Sequence, residues 1–203
     1  MATVEKENGR GRIISNNGIQ STKYVSRNPP SRVINDAYPW PDKTTLIIGD
    51  SILNNIEESK LSKYKAKVRA NPGSRVDDMY DYMAPLLKKI PSSIILHIGS
   101  NDSTSKSAYE IYDEILKLKK YIEDVLPDVT VYLSCPVIRA DNITANHTLR
   151  KLETLLKTHE NVVIHENIDG TCLGFKGLHL NAKGTGRLAQ NFIKVMKKTT
   201  QYV

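Results

Sequence analysis

Thr44-Thr45-Leu46-Ile47-Ile48-Gly49-Asp50-Ser51-Ile52-Leu53 is the stretch whose reading decides the fold. Leu46, Ile47 and Ile48 form a short apolar run without alternation, which reads as a strand buried on both faces. Gly49 stops it. Asp50 and Ser51 follow, and Ile52-Leu53 opens a helical start. A strand that ends in a polar turn and passes into a helix is the opening unit of a parallel α/β sheet.

The same unit recurs downstream. Residues near 65 to 70 read as a second strand, and Arg75 to Lys89 as a helix that Pro85 should kink or end early. Ser93 to Ile98 is another apolar run. Ile111, Ile115, Leu118, Ile122 and Val125 fall at steps of 4, 3, 4 and 3, one face of a helix. Val129 to Ser134 and Asn161 to His165 read as strands. Between them lies a helix carrying Leu149, Leu152, Leu155 and Leu156. The last helix starts near Asn181, with Leu188, Phe192 and Val195 on one side. This alternation predicts five parallel strands with helices on both faces, because crossovers are right-handed.

Upstream, residues 1–42 hold Pro29, Pro30, Pro39 and Pro41 and keep no period, so they read as a disordered or loosely docked arm. Residues 43–203 form the domain. Tyr38 and Trp40 are expected to pack on it. The N-terminus is polar and lacks the apolar core of a secretory signal. No apolar run approaches the roughly 20 residues of a membrane span. A cytoplasmic, reducing setting is the expectation. Cys135 and Cys172 are too few for a disulfide framework or a four-thiolate zinc site.

The chain has 29 Lys plus Arg against 22 Asp plus Glu, a net charge of +7. Residues 1–43 hold 7 basic and 4 acidic groups, so the remaining 160 residues are only mildly basic. Nucleic acid stays a possible partner with little support, since the basic residues are not interleaved with aromatics as in single-strand binders. The lysines at 117, 119, 120, 194, 197 and 198 read as solvated helix faces. Asn142-Ile-Thr144 and Asn146-His-Thr148 match the glycosylation sequon, but no signal peptide brings them to that enzyme.

Sites in such a sheet form beyond the C-terminal strand ends. Polar and glycine residues gather there at Gly49-Asp50-Ser51, Pro72-Gly73 and Gly99-Ser100-Asn101-Asp102. Ser51 is a candidate nucleophile at a helix N-terminus, where amides favour negative charge. The bland reading is a helix cap. His179, just before the last helix, is the candidate base. His165 is a weaker second, His97 a packed core residue, and His147 and His159 lie on or beside a helix. Gly73 can bring a backbone N–H close to a reacting group, and Asn101 can offer a side-chain amide. Their bland readings are a turn residue and a helix cap or Asx turn. Asp50 and Asp102 read as turn and capping residues.

GDS at 49–51, Gly73, GSND at 99–102 and HLN at 179–181 resemble, in order, the four motif blocks of the SGNH (GDSL-type) hydrolase superfamily. The resemblance covers roughly residues 44–198. It implies a flavodoxin-like three-layer α/β/α fold and a serine esterase acting on small-molecule or acetylated esters. Ser51 would be the nucleophile, His179 the base, and Ser51, Gly73 and Asn101 the oxyanion donors, with no metal or cofactor. More narrowly, LIIGDSIL, ILHIGSND and KGLHLNAKGTGRLAQNF look like the esterase-type domains of animal LINE-like retroelements. That likeness would make the arm a remnant of a polyprotein and bring nucleic acid in through flanking segments.

One residue departs from the pattern. The family's last block is Asp-x-x-His, and here Lys176 stands where the Asp should be. A lysine can neither orient the imidazole nor stabilise its cation. Three outcomes are open. A Ser51–His179 dyad works with a backbone carbonyl on the ring, or Glu166 or Asp169 supplies the carboxylate, or the domain is catalytically dead and binds a ligand in the old cleft.

Overall fold

The computed structural model describes residues 4–7, 10–13 and 39–201. The chain divides into two compact units, Met1–Asn35 and Asp36–Val203. In the first, β1 (Val4–Glu7) pairs antiparallel with β2 (Arg10–Ile13), in a register that sets Glu5 opposite Arg12 and Glu7 opposite Arg10. The sequence reading, which found no period there, did not anticipate this pairing. The expectations for residues 14–38, Tyr38 included, lie outside the described residues.

The second unit is built on five parallel strands: β3 (Thr45–Gly49), β4 (Ala66–Ala70), β5 (Ser93–His97), β6 (Thr130–Ser134) and β7 (Val162–Val163). Their order across the sheet is β4-β3-β5-β6-β7. The reversal of direction between the β3–β4 and β3–β5 neighbours is the point where α/β sheets open a crevice. Four helices follow: α1 (Met79–Leu87), α2 (Ala108–Val125), α3 (Ile143–Leu156) and α4 (Ala182–Gln201). The fold is the expected three-layer α/β/α arrangement.

All five residues of β3 and of β5 are buried. Leu46, Ile48, Ile94 and Leu96 join one apolar core with α1, α2 and α3. Ile47 and Ile95 join the other with Leu188, Phe192 and Met196 of α4. Both faces are therefore covered, which is why these strands read as unbroken apolar runs. Trp40 is buried against the first core, as expected, and its N–H donates to the Lys89 carbonyl at 2.9 Å.

Several element details differ from expectation. The helix placed at Arg75–Lys89 is confined to Met79–Leu87, with Pro85 inside it; the proline sits in the last turn, so little helix remains for it to disrupt. Val125 is half-exposed at the C-terminal end of α2, and Met196 rather than Val195 is fully buried on α4. The last strand is two residues long and leaves His165 beyond it. A capping box between Ser107 and Glu110 starts α2, and Asn142 caps α3 by accepting from Ala145 N–H at 2.9 Å.

The lysine-rich face of α2 is neutralised in place, with Lys117, Lys119 and Lys120 each paired to an acid four residues away. Among the described residues no helix is long and apolar enough to cross a membrane.

Candidate active site

Block by block, backbone hydrogen bonds hold the motif loops to one another. β3 and β5 approach so closely at their ends that a Cβ on Gly49 would stand 1.8 Å from the His97 carbonyl oxygen. Only glycine fits there. Asp50 N–H then donates to that carbonyl at 3.2 Å, and Asn71 N–H donates to the Gly49 carbonyl at 2.8 Å. The end of β3 is thus fixed between its two neighbours.

Ser51 begins a single 3-10 turn, Ser51–Leu53. The cap of that turn is Asp50, whose Oδ1 accepts Ile52 N–H at 2.9 Å. The capping role that could have claimed Ser51 is therefore filled by its neighbour. Ser51 is partly exposed, and its hydroxyl makes no hydrogen bond among the described residues.

Gly73 has φ +79°, in the left-handed region, and a Cβ there would meet nothing within 4 Å. The backbone demands glycine at this point while the space beside it stays open. Asn101 stands at the cap position of the 3-10 turn Asp102–Thr104 but does not cap it. Its Nδ2 crosses instead to the Ser74 carbonyl at 2.8 Å. The second and third motif loops are tied by this bond, and the helix-cap reading of Asn101 is set aside.

His179 lies on a closed loop. Its carbonyl accepts Gly174 N–H at 2.7 Å, and Leu173 bridges Leu180. Asn181 Nδ2 donates to the Thr171 and Leu173 carbonyls, both at 2.9 Å, while its Oδ1 accepts Gly184 N–H at 3.0 Å to start α4. The imidazole is exposed and has no hydrogen-bond partner among the described residues, Ser51 included. Catalytic hydrogen bonds are often open in the free state and tighten on the substrate.

Neither carboxylate expected as a third member is on His179. Asp169 is exposed and accepts from Thr171 N–H at 2.9 Å and from the Thr171 hydroxyl at 2.5 Å, with Arg187 at 3.4 Å. The Thr171 hydrogen bonds hold it down to about 2. That carboxylate is spent on capping the short turn at Gly170. Glu166 is exposed, as is Lys176.

Sequence reasoning missed Arg139. Buried to 6% exposure, it lies in the loop after β6. Its Nη1 donates to the Ser100 carbonyl at 2.9 Å, and Nε and Nη2 grip Asp141 at 2.8 and 2.6 Å. The next residue, Ala140, donates its N–H to the Gly177 carbonyl at 2.7 Å. Arg139 and Ala140 thereby connect the Ser100–Asn101 turn to the His179 loop. The pattern Pro136-Val-Ile-Arg139 directly after a strand was the available signal, and it has no period or glycine to mark it.

His165, the second candidate base, belongs to the core. It is buried, with Nε2 2.8 Å from Ser134 Oγ, which in turn is 2.8 Å from His97 Nδ1. Asn191 Nδ2 stands 3.0 Å from His165 Nδ1 and donates to Asn167 Oδ1 at 2.8 Å. An amide nitrogen can only donate, so His165 Nδ1 accepts and its Nε2–H donates to Ser134. Ser134 then donates to His97. Every direction in the chain follows from the first. Burial pushes His97 down to about 4 and His165 down to about 3, with the neighbouring ring a further cause for His165. His97 is a core residue, as expected.

Cys135 and Cys172 are free and buried. Among the described residues no group of three or more His, Cys, Asp or Glu could hold a metal ion.

The architecture is shared with solved structures. A GDSL-like lipase from Bacteroides thetaiotaomicron superposes with TM-score 0.66 at 12% identity, over 77% of this chain and 89% of that one. The fold is that of the GDSL-type hydrolases. A lipase/acylhydrolase from Enterococcus faecalis gives 0.62 at 16% identity, over 77% and 96%. A catalytic mutant of an acetylxylan esterase from Geobacillus stearothermophilus gives 0.61 at 15% identity, over 76% and 94%. No protein-family model and no curated protein matches the chain.

Proposed function

We propose that the protein is a serine ester hydrolase of SGNH type, acting on small, acetyl-class esters. Ser51 Oγ attacks the ester carbonyl while His179 takes its proton. The negative charge that develops on the carbonyl oxygen is met by three donors: Ser51 N–H, Gly73 N–H and Asn101 Nδ2. The protonated His179 then gives its proton to the departing alcohol, leaving an acyl-Ser51. Water, deprotonated by the same histidine, releases the acid and restores the serine.

The observation that carries this reading is Asn101. A residue in a cap position that leaves its turn uncapped, and reaches to Ser74 beside the open face of Gly73, supports a donor role over a local one. The likeness to retroelement esterase domains and the lipases and esterases among the structural neighbours agree with the class of reaction. They do not choose the ester.

Lys176 favours a second reading, a binding module in which the cleft persists without turnover. In serine proteases, neutralising the triad acid costs about 10⁴ in turnover. A loss of that size still leaves measurable hydrolysis of an activated ester. The deciding experiment is turnover of p-nitrophenyl acetate by the wild type and by Ser51→Ala. A rate that disappears in the variant supports the hydrolase. Equal rates in both overturn it and leave the binding module.

A further inference from the structure

Asp50 has work beyond capping. Its side chain is 1% exposed. Oδ1 accepts Ile52 N–H, and Ser100 N–H also faces the carboxyl group, while Oδ2 makes no hydrogen bond among the described residues. A buried carboxylate needs partners on both oxygens, because an ion left unpaired in a low dielectric costs far more than a neutral group.

The charged groups packed around it do not supply that partner. From the turn after β5 it faces Asp102, another buried carboxylate, which is paired with Lys106 at 3.1 Å, with Glu114 behind that lysine. From the loop after β6 it faces Arg139, whose three hydrogen bonds go to Asp141 and the Ser100 carbonyl. From β5 itself the His97 carbonyl accepts its backbone N–H.

We propose that Asp50 is a positioning residue that works as a neutral carboxylic acid, holding the Ser51 turn through Ile52 N–H, and that loss of its proton to solvent sets the alkaline limit of the reaction. An ionised Asp50 would place a buried negative charge, beside that of Asp102, one residue from Ser51 N–H. That charge opposes the oxyanion those donors must stabilise. Burial pushes the group up to about 7, so the two forms exchange near neutrality. The inference rests on the hydrolase reading above.

Asp50→Asn keeps the acceptor for Ile52 N–H and removes the titration. The test is the pH profile of p-nitrophenyl acetate turnover, each enzyme normalised to its own rate near neutrality, with Ser51→Ala subtracted as background. The wild type is expected to lose about tenfold per pH unit above its midpoint, and Asp50→Asn to hold a plateau up to about pH 9. The same alkaline fall in both, or in neither, overturns the proposal while leaving Ser51-dependent hydrolysis standing. Background-level turnover in the wild type instead overturns the hydrolase reading and this proposal's catalytic part with it. Difference infrared spectroscopy of the wild type covers the case of an Asn variant that fails to fold. A protonated-carboxyl stretch that disappears as pH rises through about 7 is expected; a carboxylate throughout overturns the proposal.

Discussion

Asn101 Nδ2 donates to the Ser74 carbonyl at 2.8 Å, across 27 residues of chain. One of its two N–H bonds is used there, and the other is available to a substrate oxygen. This bond fixes the amide by a neighbour outside its own turn, as preorganised donors require. Asn101→Ala is expected to lower turnover by about 10² to 10³ with KM little changed, the cost typical of one oxyanion donor. Steady-state kinetics on p-nitrophenyl acetate checks it. A loss confined to KM would make Asn101 a ground-state binding residue.

Arg139 holds the Ser100 turn, and the adjacent Ala140 N–H holds the His179 loop, so removal of the arginine side chain should act at a distance. Arg139→Ala is expected to lower turnover at least about tenfold, and Arg139→Lys to restore little, because an ammonium cannot reproduce the two-pronged grip on Asp141 together with the Ser100 bond. Added guanidinium ion should recover part of the rate in the Ala variant. Recovery by the lysine variant would mean that charge alone matters at this position.

Lys176→Asp restores a carboxylate three residues before His179. It is expected to raise turnover by about tenfold or more, since the acid orients and stabilises the imidazolium. Stopped-flow or initial-rate assays read this directly. An unchanged rate would show that another group holds the His179 ring.

The five strands and four helices were legible because an α/β sheet buried on both faces writes itself as apolar runs and 3.6-residue stripes. Leu46–Ile48 and the α2 stripe from Ile111 to Ile122 are the clearest instances. Gly73 and Gly49 were legible as breaks in the apolar pattern, and the left-handed φ of the first and the His97 carbonyl against the second explain them. Arg139 was not. Its role depends on a loop that returns across the sheet end to meet Ser100 and Gly177, a tertiary contact without a local signature. The relay through Ser134 and His165 was hidden for a related reason. A histidine beyond the end of a strand reads as a site residue, and only the packed α4, with Asn191, turns it inward. The β1–β2 pairing rests on cross-strand register, which composition does not display.

The His97–Ser134–His165 chain makes stability depend on acid. Both rings hold folded-state values of about 4 and about 3 against an ordinary 6.5, so the unfolded chain binds protons that the folded one refuses. Their contribution is complete above 6.5 and is lost as pH falls through those values. Asp50 has the opposite sign: raised from 3.8 to about 7, it stabilises fully below 3.8 and less as pH rises through 7. Urea midpoints of the wild type and of His165→Gln, followed from about pH 7 down to about pH 4, separate the two. The variant is expected to show the shallower acid decline. Parallel curves would mean that His165 is not held neutral.

In the proposed reaction Ser51 is a nucleophile served by donors from three loops. A fluorophosphonate forms a stable bond only to an activated serine, so mass spectrometry of the labelled wild type tests it most directly. One adduct is expected, on Ser51, formed much more slowly in His179→Ala and in Asn101→Ala. An unlabelled Ser51, or labelling that proceeds equally fast without His179, would contradict it.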